Sequence, residues 1–493
     1  MTTHSYLACD LGAESGRVIL GTLDEGRLTL EEVYRFPNGP LHTGGGLRWD
    51  IHALWNEIKT GLKLAAGRGQ PESVSVDSWG VDYVRVDAAL TPLALPFHYR
   101  DPRTDLVFAA AQKTASPEVI FAETGIQFMP INTLYQLLAE QAEALAETDQ
   151  FLLIADYFGA RLSGIGVAER SLASTTQLYH PERREWSEAL TAGFGLPRSV
   201  FPTLVDSGTI LGPLTPEIAA ETSLRDVQVI ATCSHDTGAA VAAVPEEGDD
   251  WAFLSSGTWS LLGVELPAPL INPQVQAANF TNEIGHGGSV RFLKNIAGLW
   301  IVQECRRAWQ AAGQDYGYDE LTRLAAEAAP LRCLLHPADA RFLAAGAMPK
   351  KVQDFCRETG QPVPESPGEI VRCALESLAL SYKDTLAQME MLTGRRLTRL
   401  HVVGGGSRTA LLNQFAADGT GRQVLAGPVE ATAAGNVLLQ ALALGHLADA
   451  AALRRTVRDS FSIETYMPSN SAAWQEAFAR FQLLETRFLE THP

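Results

Sequence analysis

Long apolar runs are missing from this chain. No stretch approaches the about 18 consecutive apolar residues that a membrane-crossing helix needs. The opening MTTHSYLACDLG has neither a basic nor a long apolar stretch, so the reading expects no signal peptide, no membrane contact and a cytoplasmic protein. Positive charge is short as well: 39 Lys and Arg stand against 57 Asp and Glu, a net charge of −18. Nucleic acids and anionic membranes bind basic patches, so neither is expected as a partner. An anionic nucleotide stays open, because backbone N–H groups and a cation can hold phosphate locally. Cysteine is sparse: Cys9, Cys233, Cys305, Cys333, Cys356 and Cys373 are scattered, with no C-x-x-C pair. That pattern fits reduced thiols better than a disulfide scaffold or a zinc site. A bond between Cys356 and Cys373 is left open.

What is present is apolar mass in two portions. Of 493 residues, 46% are hydrophobic, enough for two cores. The acidic turn PEEGDD (245–250) sets the expected boundary, giving domains 1–245 and 246–493. Each half opens on two apolar strands around a glycine-bearing turn, at residues 5–21 and 251–264. A helix with Asp50 as N-cap follows the first hairpin, and a largely helical stretch is expected over 105–187, broken at Gly125 and around Gly164. A helix is also expected over NIAGLWIVQECRRAWQAAG (295–313). Two α/β halves of this kind predict a ligand cleft between them.

Four short motifs carry polar chemistry. Asp10-Leu-Gly-Ala-Glu-Ser-Gly-Arg17 places an acid at the end of an apolar strand, which costs free energy unless a cation or a capped turn compensates it. It is not a Walker loop, since no G-K-[ST] follows. Its glycines let backbone N–H groups point at phosphate, with Asp10 as a magnesium ligand; a solvated hairpin acid is the plain alternative. Ser255-Ser-Gly-Thr-Trp-Ser260 offers hydroxyl donors at Ser256 and Thr258, or simply a small-residue turn. Gly404-Gly-Gly406 follows a strand and opens a helix; a dinucleotide-binding G-x-G-x-x-G is incomplete there, because Thr409 occupies the third position. Cys233-Ser-His-Asp-Thr237 puts Asp236 at a helix start, as a cap or as a general base.

Taken together, DLGAESGR, SHDT, SSGTWSLL and VVGGGSRTALLNQ resemble the FGGY carbohydrate kinases, members of the actin-like ATPase superfamily, essentially end to end. The strings WGVDYV (79–84), YRDPRT (99–104), GIQFMPINTLYQL (125–137), ASTTQLY (173–179), KNIAGLWIVQE (294–304) and GPVEATAAGN (427–436) are similar to members acting on L-rhamnulose. The resemblance implies an α/β fold of two actin-like, ribonuclease H-like domains with a central nucleotide and sugar cleft. It implies ATP and Mg²⁺, and transfer of phosphate to the C1 hydroxyl of L-rhamnulose. By position it assigns the nucleotide to Ala13, Glu14, Ser15, Gly16, Arg17, Thr258, Asn295, Gln303 and Gly405, the sugar to Gly80, His235 and Asp236, catalysis to Asp236 and the metal to Asp10. Asn295 would start the NIAGLW helix and Gln303 would lie on its body. Many family members carry a hydroxyl where Ala13 and Glu14 stand, and an acid there must point away from phosphate or act through a cation. Trp79, Gln127, Asn132 and Gln177 are further candidates on the sugar side. The alternatives are a kinase for L-fuculose, L-ribulose or D-xylulose, an actin-like ATPase without sugar transfer, and, more distantly, a nicotinamide-dinucleotide binder. Oligomeric state is not legible.

Overall fold

In the computed structural model, which describes residues 3–469 and 471–491, the chain divides into two compact units. The first takes Met1–Pro245, Glu265–Leu293 and Ala431–Phe461; the second takes Glu246–Val264, Lys294–Glu430 and Ser462–Pro493. The passage at 245/246 is thus one of several. Two later stretches return to the first unit.

In the first unit, β1 (His4–Leu11) pairs antiparallel with β2 (Ser15–Asp24), and β2 with β3 (Arg27–Pro37). On its other side β1 lies parallel to β4 (Ser73–Ser78). Strands β5 (Thr209–Pro213) and β6 (Gln228–Ala231) complete the order β5-β6-β4-β1-β2-β3, with β6 parallel to β4 and β5 antiparallel at the edge. The central strand β4 is buried along its whole length and β1 along most of it, as expected for parallel neighbours covered on both faces. Glu25 and Gly26, with φ of 49° and 77°, form the left-handed pair that a tight β2–β3 hairpin requires.

The helices Asp236–Ala242 and Ala431–Ala443 are rich in small residues because they cross at close range. A Cβ on Gly435 would sit 1.8 Å from the Ala239 carbonyl oxygen. Val437 reaches over Gly21 of β2, where a Cβ would lie 2.5 Å from Cγ1. Tyr6, Ala8, Ile19, Ala239, Ala433 and Val437 share one core cluster. Side-chain size, rather than helix propensity, therefore sets these two sequences.

The second unit repeats the plan. Strand β7 (Trp251–Ser256) pairs antiparallel with β8 (Trp259–Leu266) and parallel with β9 (Arg399–Val403); β10 (Gln423–Ala426) is parallel to β9, and β11 (Glu464–Tyr466) closes antiparallel. Each unit thus has a hairpin, two further parallel strands and an antiparallel edge, although the two hairpins share little sequence.

Two expected helices differ. The 105–187 stretch is interrupted: helices Asp105–Thr114, Pro117–Thr124, Thr133–Leu138 and Ile154–Ser163 alternate with the strand Gln150–Leu153, which pairs with Tyr83–Val86. Gly125 and Gly164 end two of them with left-handed caps, at φ of 65° and 77°. Asn295 does not start a helix. It lies in the strand Val290–Ala297, and the helix begins at Trp300. Between them Gly298 passes the β8 backbone so closely that a Cβ would stand 2.6 Å from the Trp259 carbonyl carbon. Asp50 does cap the first helix, accepting from Ala53 N at 2.9 Å. Among the described residues no helix is long and apolar enough to cross a membrane.

Candidate active site

The first unit collects acids at the ends of its central strands. Asp10 on β1 and Asp77 on β4 are register partners, 7% and 0% exposed. Asp236 opens the helix after β6, with its carboxylate accepting from Thr237 N. Burial and the Asp10 charge push the Asp77 carboxyl well above its usual range. The same two causes push Asp236 up to about 7, against the helix-start N–H bond that lowers it. Asp236 is nevertheless the open member of the group: 31% of its side-chain surface remains accessible. A raised carboxyl that solvent can still reach is suited to accept a proton near neutral pH.

Each acid is held from behind. The Arg17 guanidinium pairs with Asp10, so Arg17 serves that carboxylate first. Asn436 Nδ2 donates to Asp77 Oδ2 at 2.6 Å; Gln440 Nε2 donates to Asn436 Oδ1 at 2.7 Å and to the Leu7 carbonyl at 2.9 Å. Asp77 Oδ1 is buried with no hydrogen-bond partner. The register-paired carboxylates of Asp10 and Asp77, one with an unsatisfied oxygen, are hard-oxygen donors of the kind Mg²⁺ takes.

His235 stands beside Asp236, with Nε2 3.7 Å from Asp236 Oδ1. Its Nδ1 lies 2.9 Å from the Arg291 guanidinium. Arginine only donates, so Nδ1 accepts and the ring proton sits on Nε2. Burial and the Arg291 charge drive the His235 pKa well below its usual value, which keeps the ring neutral. Arg291 is fully buried. It also meets Glu283 at 3.2 Å and the Ile284 carbonyl at 3.1 Å. Glu169, also fully buried, accepts from Ser171 N and Ser234 N at 3.0 Å each, and Ser171 Oγ accepts from His235 N at 3.2 Å. The SHDT loop is therefore clamped by two buried charged residues that sequence reading missed. Gly80 belongs here too: a Cβ would lie 3.0 Å from Thr175 Oγ1 and 3.3 Å from His235 Nε2.

Three further sugar-side candidates, Trp79, Asn132 and Gln177, hold hydrogen-bond partners within the protein. Trp79 Nε1 donates to Asp82 at 3.0 Å and its ring leans on Trp49 at 4.3 Å. Asn132 Nδ2 donates to Gln177 Oε1 at 3.0 Å and to the Gln127 carbonyl at 2.9 Å.

The turn after β1 differs from expectation in detail. Ala13 and Glu14 form its tip, with Glu14 exposed, and Gly12 N closes it onto the Ser15 carbonyl at 2.9 Å. Ser15 Oγ accepts from Arg35 at 3.3 Å. Gly16 is not part of the turn. It lies in β2, where a Cβ would strike the Phe36 ring at 2.2 Å, so packing accounts for this glycine.

In the second unit, the β7–β8 turn, the triple glycine and the helix from Trp300 meet. The Thr258 and Gly257 carbonyls accept from Trp300 N at 3.2 Å and Leu299 N at 3.0 Å. Gly404 adopts φ of 82°; a Cβ on Gly406 would sit 2.0 Å from Ser256 Oγ, whereas one on Gly405 would meet open space. Ser256 Oγ and Gln303 Oε1 are buried without hydrogen-bond partners. Glycine-lined open space beside unsatisfied polar atoms is a place where a ligand can approach the backbone.

Comparison with known proteins agrees with this geometry. Residues 5–243 match the N-terminal domain, and residues 252–444 the C-terminal domain, of the FGGY family of carbohydrate kinases. The rhamnulokinase of Bacteroides thetaiotaomicron is 43% identical over 97% of this chain and 99% of its own length. That of Bacillus subtilis is 39% identical over 94% and 96%. Among solved structures, a xylulose kinase from Lactobacillus acidophilus superposes with a TM-score of 0.81 over 99% of this chain and 98% of its own, at 14% identity. A glycerol kinase from Plasmodium falciparum does so at 0.75, 14% identical, over 99% and 98%. The fold is the two-domain, actin-like one of the sugar kinases, and the chain belongs to the FGGY family of carbohydrate kinases.

Proposed function

We propose that this chain transfers the terminal phosphoryl group of ATP to the C1 hydroxyl of L-rhamnulose, yielding L-rhamnulose 1-phosphate and ADP in L-rhamnose breakdown. The near full-length similarity to rhamnulokinases supports the substrate. The observation that carries the chemistry is Asp236: an acid with its pKa raised to about 7, accessible while its neighbours are buried. Asp236 takes the proton of the C1 hydroxyl as that oxygen attacks phosphorus. His235, neutral and with its ring proton fixed on Nε2 by Arg291, donates to a sugar oxygen. The tight backbone at Gly80 shapes the same wall.

ATP is the substrate of the second unit in this reading, with the open backbone at Gly405 facing the nucleoside and Thr258, Asn295 and Gln303 as polar contacts. In the same reading Ala13, Glu14, Ser15, Gly16 and Arg17 would contact the phosphates. Asp10 and Asp77 would hold Mg²⁺, which when bound offsets phosphate charge. Glu14 stands exposed at the turn tip. The free thiols and the demand for ATP favour a cytoplasmic enzyme. Incubation with Mg-ATP and L-rhamnulose, followed by ¹³C and ³¹P NMR of the product, tests the assignment. Phosphorus coupling at C1 is expected; an ester at another carbon, or inorganic phosphate alone, would overturn it.

A further inference from the structure

Three of the six cysteines, far apart in sequence, converge in the second unit. The sulfur atoms of Cys333, Cys356 and Cys373 all lie within 4.8 Å of one another. They are 4%, 0% and 2% exposed, and all are free thiols. Around a tetrahedral zinc with Zn–S bonds of about 2.3 Å, sulfurs stand about 3.8 Å apart, so little movement is needed.

The cluster is rigidly built. Cys356 lies in the helix Met348–Glu358 and Cys373 in the helix Pro367–Thr393. Cys333 sits on an irregular segment pinned to the second helix on both sides: Leu331 N donates to Glu376 at 2.8 Å and Leu335 N to Ser377 Oγ at 2.8 Å. Gln361 ties the remaining edge, accepting from Leu334 N at 2.8 Å while its own N–H reaches the Cys356 carbonyl at 2.8 Å. A small cavity reaches the thiols, lined by Cys333 and Cys373 with Arg332, Glu369, Arg372 and Glu376.

We propose that Cys333, Cys356 and Cys373 form a tris-thiolate site for a thiophilic divalent cation such as Zn²⁺, its fourth position opening on the cavity. The charges around it select the cation. Arg332 pairs with Glu369 at 2.8 Å and Arg372 with Glu376 at 2.7 Å, so the lining is balanced. A dication with three thiolates leaves one negative charge in that lining, whereas a monovalent cation leaves two. The thiols release their protons to solvent as the metal binds. The bound ion cross-links two helices and the segment between them, a structural role separate from phosphoryl transfer.

Cadmium is the probe, titrated into the full chain purified under reductant and chelator. The expected result is one Cd²⁺ per chain with a thiolate-to-metal charge-transfer band in the ultraviolet, proton release, and a raised melting temperature. Cys333→Ser, Cys356→Ser and Cys373→Ser each weaken binding by more than about tenfold. His446→Gln, at the separate cluster His4, Glu72 and His446, leaves the band intact. No band in the fully reduced parent chain overturns the proposal, and this readout does not depend on any variant folding. A band that survives all three serine variants, or is lost with His446→Gln, overturns it too.

Discussion

Replacing Asp236 by Asn separates catalysis from stability. Asn keeps the shape and the acceptor for Thr237 N while removing the charge. In the parent chain the carboxyl is raised from 3.8 to about 7 by burial and by Asp10. A folded pKa above the unfolded one means that ionisation opposes folding: the penalty is absent below pH about 4 and complete above pH about 7. At about 1.4 kcal/mol per unit this shift corresponds to roughly 4 kcal/mol for a sealed group. Solvent reaches 31% of the side chain, and screening reduces the figure to about 1–2 kcal/mol. The Asn variant is therefore expected to be about 1–2 kcal/mol more stable than its parent at pH 8, with the gain shrinking towards pH 5. Loss of a general base lowers turnover by about 10²–10⁴-fold, while ATP affinity changes by less than about twofold. Denaturant titrations at the two pH values, kcat and nucleotide calorimetry read all three. A variant no more stable than its parent at pH 8, or one that keeps turnover within about tenfold, refutes the reasoning.

Arg291→Met leaves Glu283 buried without its cation and frees the His235 tautomer; it is expected to cost about 3–5 kcal/mol of stability and to raise the sugar KM far more than the ATP KM, as steady-state kinetics and melting will read. Gly406→Ala drives a Cβ into Ser256 and should cost about 1–3 kcal/mol. Its neighbour Gly405→Ala meets open space, so its melting temperature should match the parent while nucleotide affinity, by calorimetry, falls about tenfold or more. Gly80→Ala, pressing on Thr175 and His235, should raise the sugar KM and leave nucleotide binding unchanged.

The hairpins, the triple-glycine turn and the helix starting at Asp236 were legible because their signals are local: strand, turn residue and helix start lie within a few positions. Asp10 was legible as an acid ending an apolar strand. Asp77 obeys the same rule, but SVSVDS alternates small polar residues with valine and reads as half-exposed until its neighbours cover it. Arg291 and Glu283 look like ordinary hairpin charges, since their burial depends on the SHDT loop 56 positions before Arg291. Asn436 and Gln440 have visible i, i+4 spacing on a small-residue helix, yet the Asp77 partner of Asn436 lies 359 positions away. The three thiols meet only through the packing of two helices and a pinned segment. At Gly16 a packing demand was not legible: the Phe36 ring leaves no room for a Cβ there.

The central claim is sugar-dependent phosphoryl transfer with a preference for one ketose. It is tested most directly by ADP release with Mg-ATP over a panel of L-rhamnulose, L-fuculose, L-ribulose and D-xylulose, beside a control without sugar. The account predicts the highest kcat/KM for L-rhamnulose, with one ADP formed per sugar phosphate. Preference for another ketose would contradict the substrate assignment, and ADP release that needs no sugar would contradict the transfer mechanism itself.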